Sequence, residues 1–509
     1  MEQTVKLLIV IAYMGALLGI GVVASRRVKD LRDFFAAGKS LGFWAVAFSA
    51  RATGESAWLL LGLTGMGAAV GLQAMWVVVG EVLGVALAWL WMARRFKRLT
   101  DKYDSVTVPD FLESRFRDDS HRLRIVSALS LVVFVTIYVS AQIDATGSAF
   151  ESFLGWNYYA GALVGFVVVL VYCTSGGFFA VAWSDIVQGV LMFFGLVILP
   201  IAGVIAAGGW GAVIEGLNAI DPTLMNWSGA EAWTGLGVVG VAGLVLIGFG
   251  FLGSPQIFVR FIALRDEAEI GKGAAVAILW TILADTGAVV TGMVGRHLLT
   301  EPGQAVDVLG NGGQNVLPLL TEHLFPLVIV GIYVAIVLSA IMSTIDSLLI
   351  VAGSALVRDW HQKVRNPTMS DVDLLSASRK ATVGLALAAL AIAMTVAVTT
   401  PDRTIFWFVI FGWSGISATF CPTIVLSLFW SKFTARGALA AMIGGFLSVP
   451  FFKFAGPHLP GLGEGIAALA ELPPALAVSF VLGIGVSLTD SAGNAPLAGI
   501  EQELADAGA

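Results

Sequence analysis

The sequence predicts an all-α protein that crosses a membrane many times, and three observations carry that prediction. Of 509 residues, 57% are hydrophobic and 13% charged, whereas a soluble domain carries about 25% charged residues. Apolar runs of about 20 residues recur along the whole chain, and about 20 is the length a helix needs to cross the hydrocarbon layer. Lysine and arginine also sort into alternate loops, as they do in membrane proteins. A soluble fold could not hide this much apolar surface.

Thirteen runs stand out, at about 5–24, 41–70, 73–95, 125–148, 157–177, 181–207, 233–258, 270–295, 320–355, 379–399, 404–428, 436–453 and 472–488. The first has no basic n-region and no small-residue cleavage site, so it reads as a retained helix. The 59 glycines suit helices that approach each other closely.

Orientation follows from the loops. With the N-terminus outside, the inside loops hold Arg26, Arg27, Lys29, Arg32 and Lys39, then Arg94, Arg95, Lys97, Arg98, Lys102, Arg115, Arg117, Arg122 and Arg124. Further along they hold Arg260, Arg265, Lys272, Arg358, Lys363, Arg365, Arg379, Lys380, Lys432 and Arg436. Outside lie Lys6, Arg296, Arg403 and Lys453, and the loop 208–232 is acidic. The C-terminus is then inside. The transporter domain spans 1–490, and residues 491–509 form a short acidic cytoplasmic tail that reads as disordered.

Two spans have unusual interiors. The second reads SARATGESAWLLLGLTG, with Arg51, Thr53, Gly54, Glu55 and Ser56 at mid-membrane. The seventh reads LIGFGFLGSPQIF, with three glycines and Pro255. Transporters built from inverted repeats place broken helices at matching positions in their halves. Spans 2 and 7 lie five apart, which predicts repeats at about 41–207 and 233–428.

Ionisable groups inside spans are costly and mark function by default. Here they are Arg51, Glu55, Asp144, Asp185, Asp285 and Asp346. Arg51 and Glu55 are four apart, so they share a helical face. They either neutralise each other or meet a solute, and Glu81 is a further candidate partner. Asp144 and Gln142 could extend a network toward Arg51. In the ninth span, Ser343, Thr344, Asp346 and Ser347 gather three hydroxyls and a carboxylate within about one turn. Hydroxyls alone could bond back to the helix, but the carboxylate beside them points to a hard cation held by oxygen. Asp185 opens the sixth span after the turn at Gly176 and Gly177, where a helix N-terminal charge is the simpler reading.

No basic patch with interleaved aromatics points to nucleic acid. Cys173 and Cys421 sit in apolar runs, which predicts neither a disulfide framework nor a metal site. The sequence offers no nucleophile–base pair and no evident metal-ligand cluster, so an enzyme is not expected.

Several segments in order resemble the sodium/solute symporter family, within it most the bacterial sodium/proline symporters. They are DFFAAGKSLGFWAVAFSA (33–50), ESAWLLLGLTG (55–65), TSGGFFAVAWSDIVQGVLM (174–192), GSPQIFVRFIA (253–263), AIMSTIDSLL (340–349) and WSKFTARGALAAMIGG (430–445). The resemblance covers about 5–490. It implies a LeuT-type 5+5 fold with one helix before the repeats and two after. It implies a cell-membrane symporter that imports proline or a related amino acid with sodium by alternating access. The main sodium site would use the carbonyls of Ala52, Glu55 and Ala340 and the hydroxyls of Ser343 and Thr344. A second site, found in some members, would use Asp185, Ser343, Asp346 and Ser347. The solute would meet Ser56, Ala57, Trp58, Tyr138, Phe251 and Pro255, with Glu55 and Arg51 as added candidates.

The pocket departs from the proline pattern. An aspartate is here Gly54, a glycine is Arg51, and a tryptophan and a tyrosine are Ile247 and Phe251. Sugars, sialic acids, vitamins and other organic anions therefore stay open as solutes. A proton-coupled or ion-independent carrier is the competing mechanism, with Arg51 as a fixed charge in place of an ion. Oligomeric state is not legible.

Overall fold

The computed structural model describes residues 2–26, 31–173 and 177–509. Arg27, Lys29 and Gly176, named above, lie outside the described residues. The described chain is helical apart from turns and one isolated backbone bridge.

Eleven of its helices are long and apolar enough to span a membrane, against the thirteen runs expected. The difference has two sources. Phe43–Lys102 is one apolar run of 60 residues, about three bilayer thicknesses if straight. It turns back at Gly71, whose φ of 59° favours glycine, and so contains the second and third predicted runs. The fifth predicted run is the shorter helix Tyr158–Cys173.

The second span enters as Phe43–Ala57 and packs against Gly177–Ala206, Ile270–Leu299 and Leu327–Ser354. The last of these is the ninth span, and 83% of its most apolar window is buried. Its polar residues therefore face protein rather than lipid. Met75–Leu87 meets the broken seventh span backbone to backbone: a Cβ added to Gly84 would lie 1.9 Å from the Gly248 carbonyl oxygen. Glycine is the residue type that permits this approach.

At the lysine- and arginine-rich end, hydrogen bonds and ion pairs cross between the spans. The Leu41 amide donates to the Ala263 carbonyl at 3.0 Å, and the Arg265 amide donates to the Leu41 carbonyl at 2.9 Å. This joins the start of the second span to the end of the seventh. Nearby, Arg124 binds Asp110 at 2.9 Å and Asp359 at 2.5 Å, and Arg358 binds Asp110 at 2.6 Å. These contacts tie the fourth and ninth spans to the connecting helix Val108–Phe116.

The tail departs from the expected disorder. Ile500–Gly508 is a helix lying on the basic segment after the third span. Tyr103 donates to Glu503 at 2.6 Å, and Arg95 donates to the Leu504 carbonyl at 3.1 Å. A short acidic segment has too little apolar surface to fold alone, and here it is held by the basic groups of the loop.

Candidate functional site

The second span breaks at Ser56, whose φ of 44° and ψ of −166° lie outside the helical region. This lies at the end of the polar stretch Arg51–Ser56 that the sequence marked as unusual for a span. Ser56 Oγ lies 3.3 Å from both Tyr138 Oη and Gln142 Nε2. The Ala57 amide, freed from the helix ladder, donates to Gln142 Oε1 at 3.0 Å. Trp58 is oriented by its indole N–H, which donates to the Gly54 carbonyl at 3.1 Å. A break of this kind releases backbone oxygens for other partners.

Those oxygens face the ninth span. Ser343 Oγ donates to the Ala52 carbonyl at 2.9 Å, and Thr344 Oγ1 donates to the Thr53 carbonyl at 3.1 Å. Both hydroxyls also reach the Ala340 carbonyl at 3.1 Å. Three carbonyls and two hydroxyls thus converge in a fully buried spot, a donor set suited to a hard monovalent cation. Ala52, Ala340, Ser343 and Thr344 are brought together. The Glu55 carbonyl accepts the Trp58 amide instead, and Thr53 supplies a carbonyl that the sequence did not single out.

Beside this spot stands Arg260, which the sequence placed in a loop. The seventh apolar run ended at 258, but the helix continues as Pro255–Ala263 and buries Arg260 completely. Its Nη2 lies 2.9 Å from Asp185 Oδ2 and 2.7 Å from Ser347 Oγ, and it also meets Thr53 Oγ1. Its Nε donates to Ser49 Oγ at 2.8 Å. Ser49 Oγ lies 2.6 Å from Asp185 Oδ2. Asp185, Ser347 and, next to them, buried Asp346 therefore surround a guanidinium.

On the other side of the break, Ser56, Ala57, Trp58, Tyr138 and Gln142 form one polar-aromatic patch. Phe406 meets Trp58 edge-on with ring centroids 6.1 Å apart. It separates the patch from a cavity of about 370 Å³ lined by Gly62, Gln73, Asn311, Gln314 and Trp407. Phe251 is buried against Trp413, ring centroids 4.9 Å apart, and its ring fills the space where Gly54 would carry a Cβ. Pro255 lines a different cavity, about 20 Å³, with Phe178 and Val259.

Arg51 pairs with Glu55 one turn on. Its guanidinium carbon lies 4.8 Å from the Phe251 ring centroid and 5.6 Å from that of Trp280. Glu81 is 3.8 Å away. Glu55, Glu81 and Asp285 each place a carboxylate oxygen within 4.8 Å of the others, and all three are buried. This cluster was invisible in the sequence because its members lie on three separate helices. Asp144 does not join it. It binds Arg403 Nε at 3.0 Å and Tyr158.

The sequence profile of the sodium:solute symporter family matches residues 34–445. The high-affinity proline transporter PutP of Bacillus subtilis is 36% identical over 86% of this chain and 90% of its own length. The sodium/proline symporter of Escherichia coli is 32% identical over 98% of this chain and 95% of its own. Among solved structures, a substrate-bound, outward-open sodium-coupled sialic acid symporter superposes with a TM-score of 0.77 at 18% identity. It covers 96% of this chain and 98% of its own. MhsT in complex with L-phenylalanine gives 0.55 at 17% identity over 87% of this chain and 98% of its own. The chain is a multi-pass membrane transporter with the LeuT-type fold and belongs to the sodium:solute symporter family.

Proposed function

We propose that this chain carries proline or a closely related amino acid into the cell, driven by sodium entering at Ala52, Thr53, Ala340, Ser343 and Thr344. The single observation that supports this best is the contact of Ser343 and Thr344 with the Ala52 and Thr53 carbonyls. A sodium ion there ties the ninth span to the broken second span and so orders Ser56, Ala57 and Trp58. Ion and solute then favour each other's binding by linkage, typically about 1–3 kcal/mol. One cation moving down about 100 mV contributes about 2.3 kcal/mol more.

Alternating access proceeds by rocking one five-helix repeat, 41–207, against the other, 233–428, around this site. With thirteen crossings and the N-terminus outside, the 370 Å³ cavity opens outward and the Arg124–Asp110–Asp359 network closes the cytoplasmic side. Arg260 supplies a fixed positive charge between Asp185 and Ser347. On that face the guanidinium neutralises Asp185.

A second reading keeps sodium coupling and changes the solute. It is favoured by Arg51 and Phe251, which stack at 4.8 Å where the proline pattern has smaller or more polar groups. The test is radiolabelled L-proline uptake into proteoliposomes, with an inward sodium gradient or with choline. Sodium-dependent accumulation blocked by unlabelled proline supports the first reading. No uptake of proline, with a different solute raising the melting temperature in sodium, supports the second.

A further inference from the structure

The charges around Arg51 do not balance. Glu55 is paired with Arg51, and Glu81 lies 3.8 Å from the same guanidinium. Asp285 is fully buried, and neither of its oxygens accepts a hydrogen bond among the described residues. The same holds for Glu81 Oε2. With all four groups ionised, three carboxylates face one guanidinium, a surplus of two negative charges in a dry interior. A buried carboxylate without a counter-charge or donor is among the most costly arrangements in a protein. A cation is what such a set lacks.

The geometry suits a metal ion. The three oxygens lie within 4.8 Å of one another. Oxygen ligands of a hard cation such as calcium lie about 2.3–2.6 Å from the ion, so two of them on one ion are at most about 5 Å apart. Calcium takes about 6–8 oxygens, while the neighbours here include the Phe251 and Trp280 rings and the fixed charge of Arg51. Fewer ligands and a cationic neighbour favour a monovalent ion.

We propose that Glu55, Glu81 and Asp285 form a second sodium site, between the second, third and eighth spans, separate from the Ser343–Thr344 site on the ninth. The proposal rests on the sodium-coupled reading above. Its carboxylates lie apart from Asp185, which Arg260 pairs. The site adjoins the solute patch, since Gly54 and Phe251 touch between them. One sodium would leave a single negative charge there, complementary to the ammonium of an amino acid.

The test is radioactive sodium binding to the purified full-length protein in detergent, with sodium-dependent solute uptake alongside. The wild type should bind about two sodium ions per chain. Asp285→Asn with Glu81→Gln should bind one, and so should Ser343→Ala with Thr344→Ala. The sodium Hill coefficient of uptake should fall from about two to about one in Asp285→Asn. A wild type that binds a single ion, lost in the Ser343–Thr344 variant, overturns the proposal, whatever the folding of the variants. So does calcium displacing sodium from the second site at equal concentration. Failure of the underlying reading looks different: no sodium binding to the wild type at all.

Discussion

Arg260 and Asp185 meet at 2.9 Å, with both side chains wholly buried in the middle of the bundle. The pair joins the sixth span to the second half of the broken seventh span, and Ser49, Thr53 and Ser347 complete its hydrogen bonds. Removing one member of a buried pair strands the other charge, at a cost of about 3–5 kcal/mol. Arg260→Met should therefore lower the melting temperature sharply. The double variant Arg260→Met, Asp185→Asn should recover part of the loss, because no charge is then stranded. Thermal unfolding in detergent reads both, and equal loss in the single and double variants would contradict the pairing.

Gly54 has no room for a side chain. A Cβ there would stand 2.8 Å from the Phe251 ring, so the ring must shift. Gly54→Ala should raise the solute KM several-fold, while the sodium concentration giving half-maximal uptake stays within about twofold. A weakened sodium response with an unchanged solute KM would place Phe251 outside the solute's surroundings.

Asp110, at the lysine- and arginine-rich end, should keep its charge at physiological pH. Burial works against the charge of Asp110, but the guanidiniums of Arg358 and Arg124 hold its carboxyl down to about 2. Because the pKa is depressed, its contribution is complete above the ordinary carboxylate value and is lost only as pH falls toward 2. Arg358→Ala should loosen this closure. In a chain with Cys173 and Cys421 replaced by serine, Val259→Cys should then react several-fold faster with a membrane-impermeant thiol reagent added from the lysine- and arginine-rich side.

Gly84 and Gly248 hold the third and seventh spans together at backbone distance. Overpacking such a contact costs about 1–3 kcal/mol or more. Gly84→Leu should lower the melting temperature and abolish uptake, whereas Gly271→Ala, in open space, should do neither.

Much of this was legible in the sequence, for physical reasons. Ser343, Thr344 and Asp346 are too polar for an apolar run, and the polar stretch ending at Ser56 and the glycines before Pro255 mark the two broken spans. Arg260 was misplaced because hydropathy marks where a helix leaves lipid, not where it ends inside protein. The role of the Thr53 carbonyl carries no signal, since any residue has a backbone oxygen. The Glu55–Glu81–Asp285 cluster depends on which helices pack together, and Asp285 in particular had no sequence neighbour to explain it. The acidic tail was read as disordered because its partner, the basic segment from Arg95 to Arg117, lies about 400 residues away.

The central claim is that Ser343 and Thr344 bind the coupling ion against the Ala52 and Thr53 carbonyls. The most direct test is solute uptake into proteoliposomes with sodium or choline outside, in the wild type and in Ser343→Ala with Thr344→Ala. The wild type should accumulate solute in sodium alone, and the variant should lose that difference between the two salts. A variant whose uptake keeps the wild-type sodium dependence would contradict the assignment.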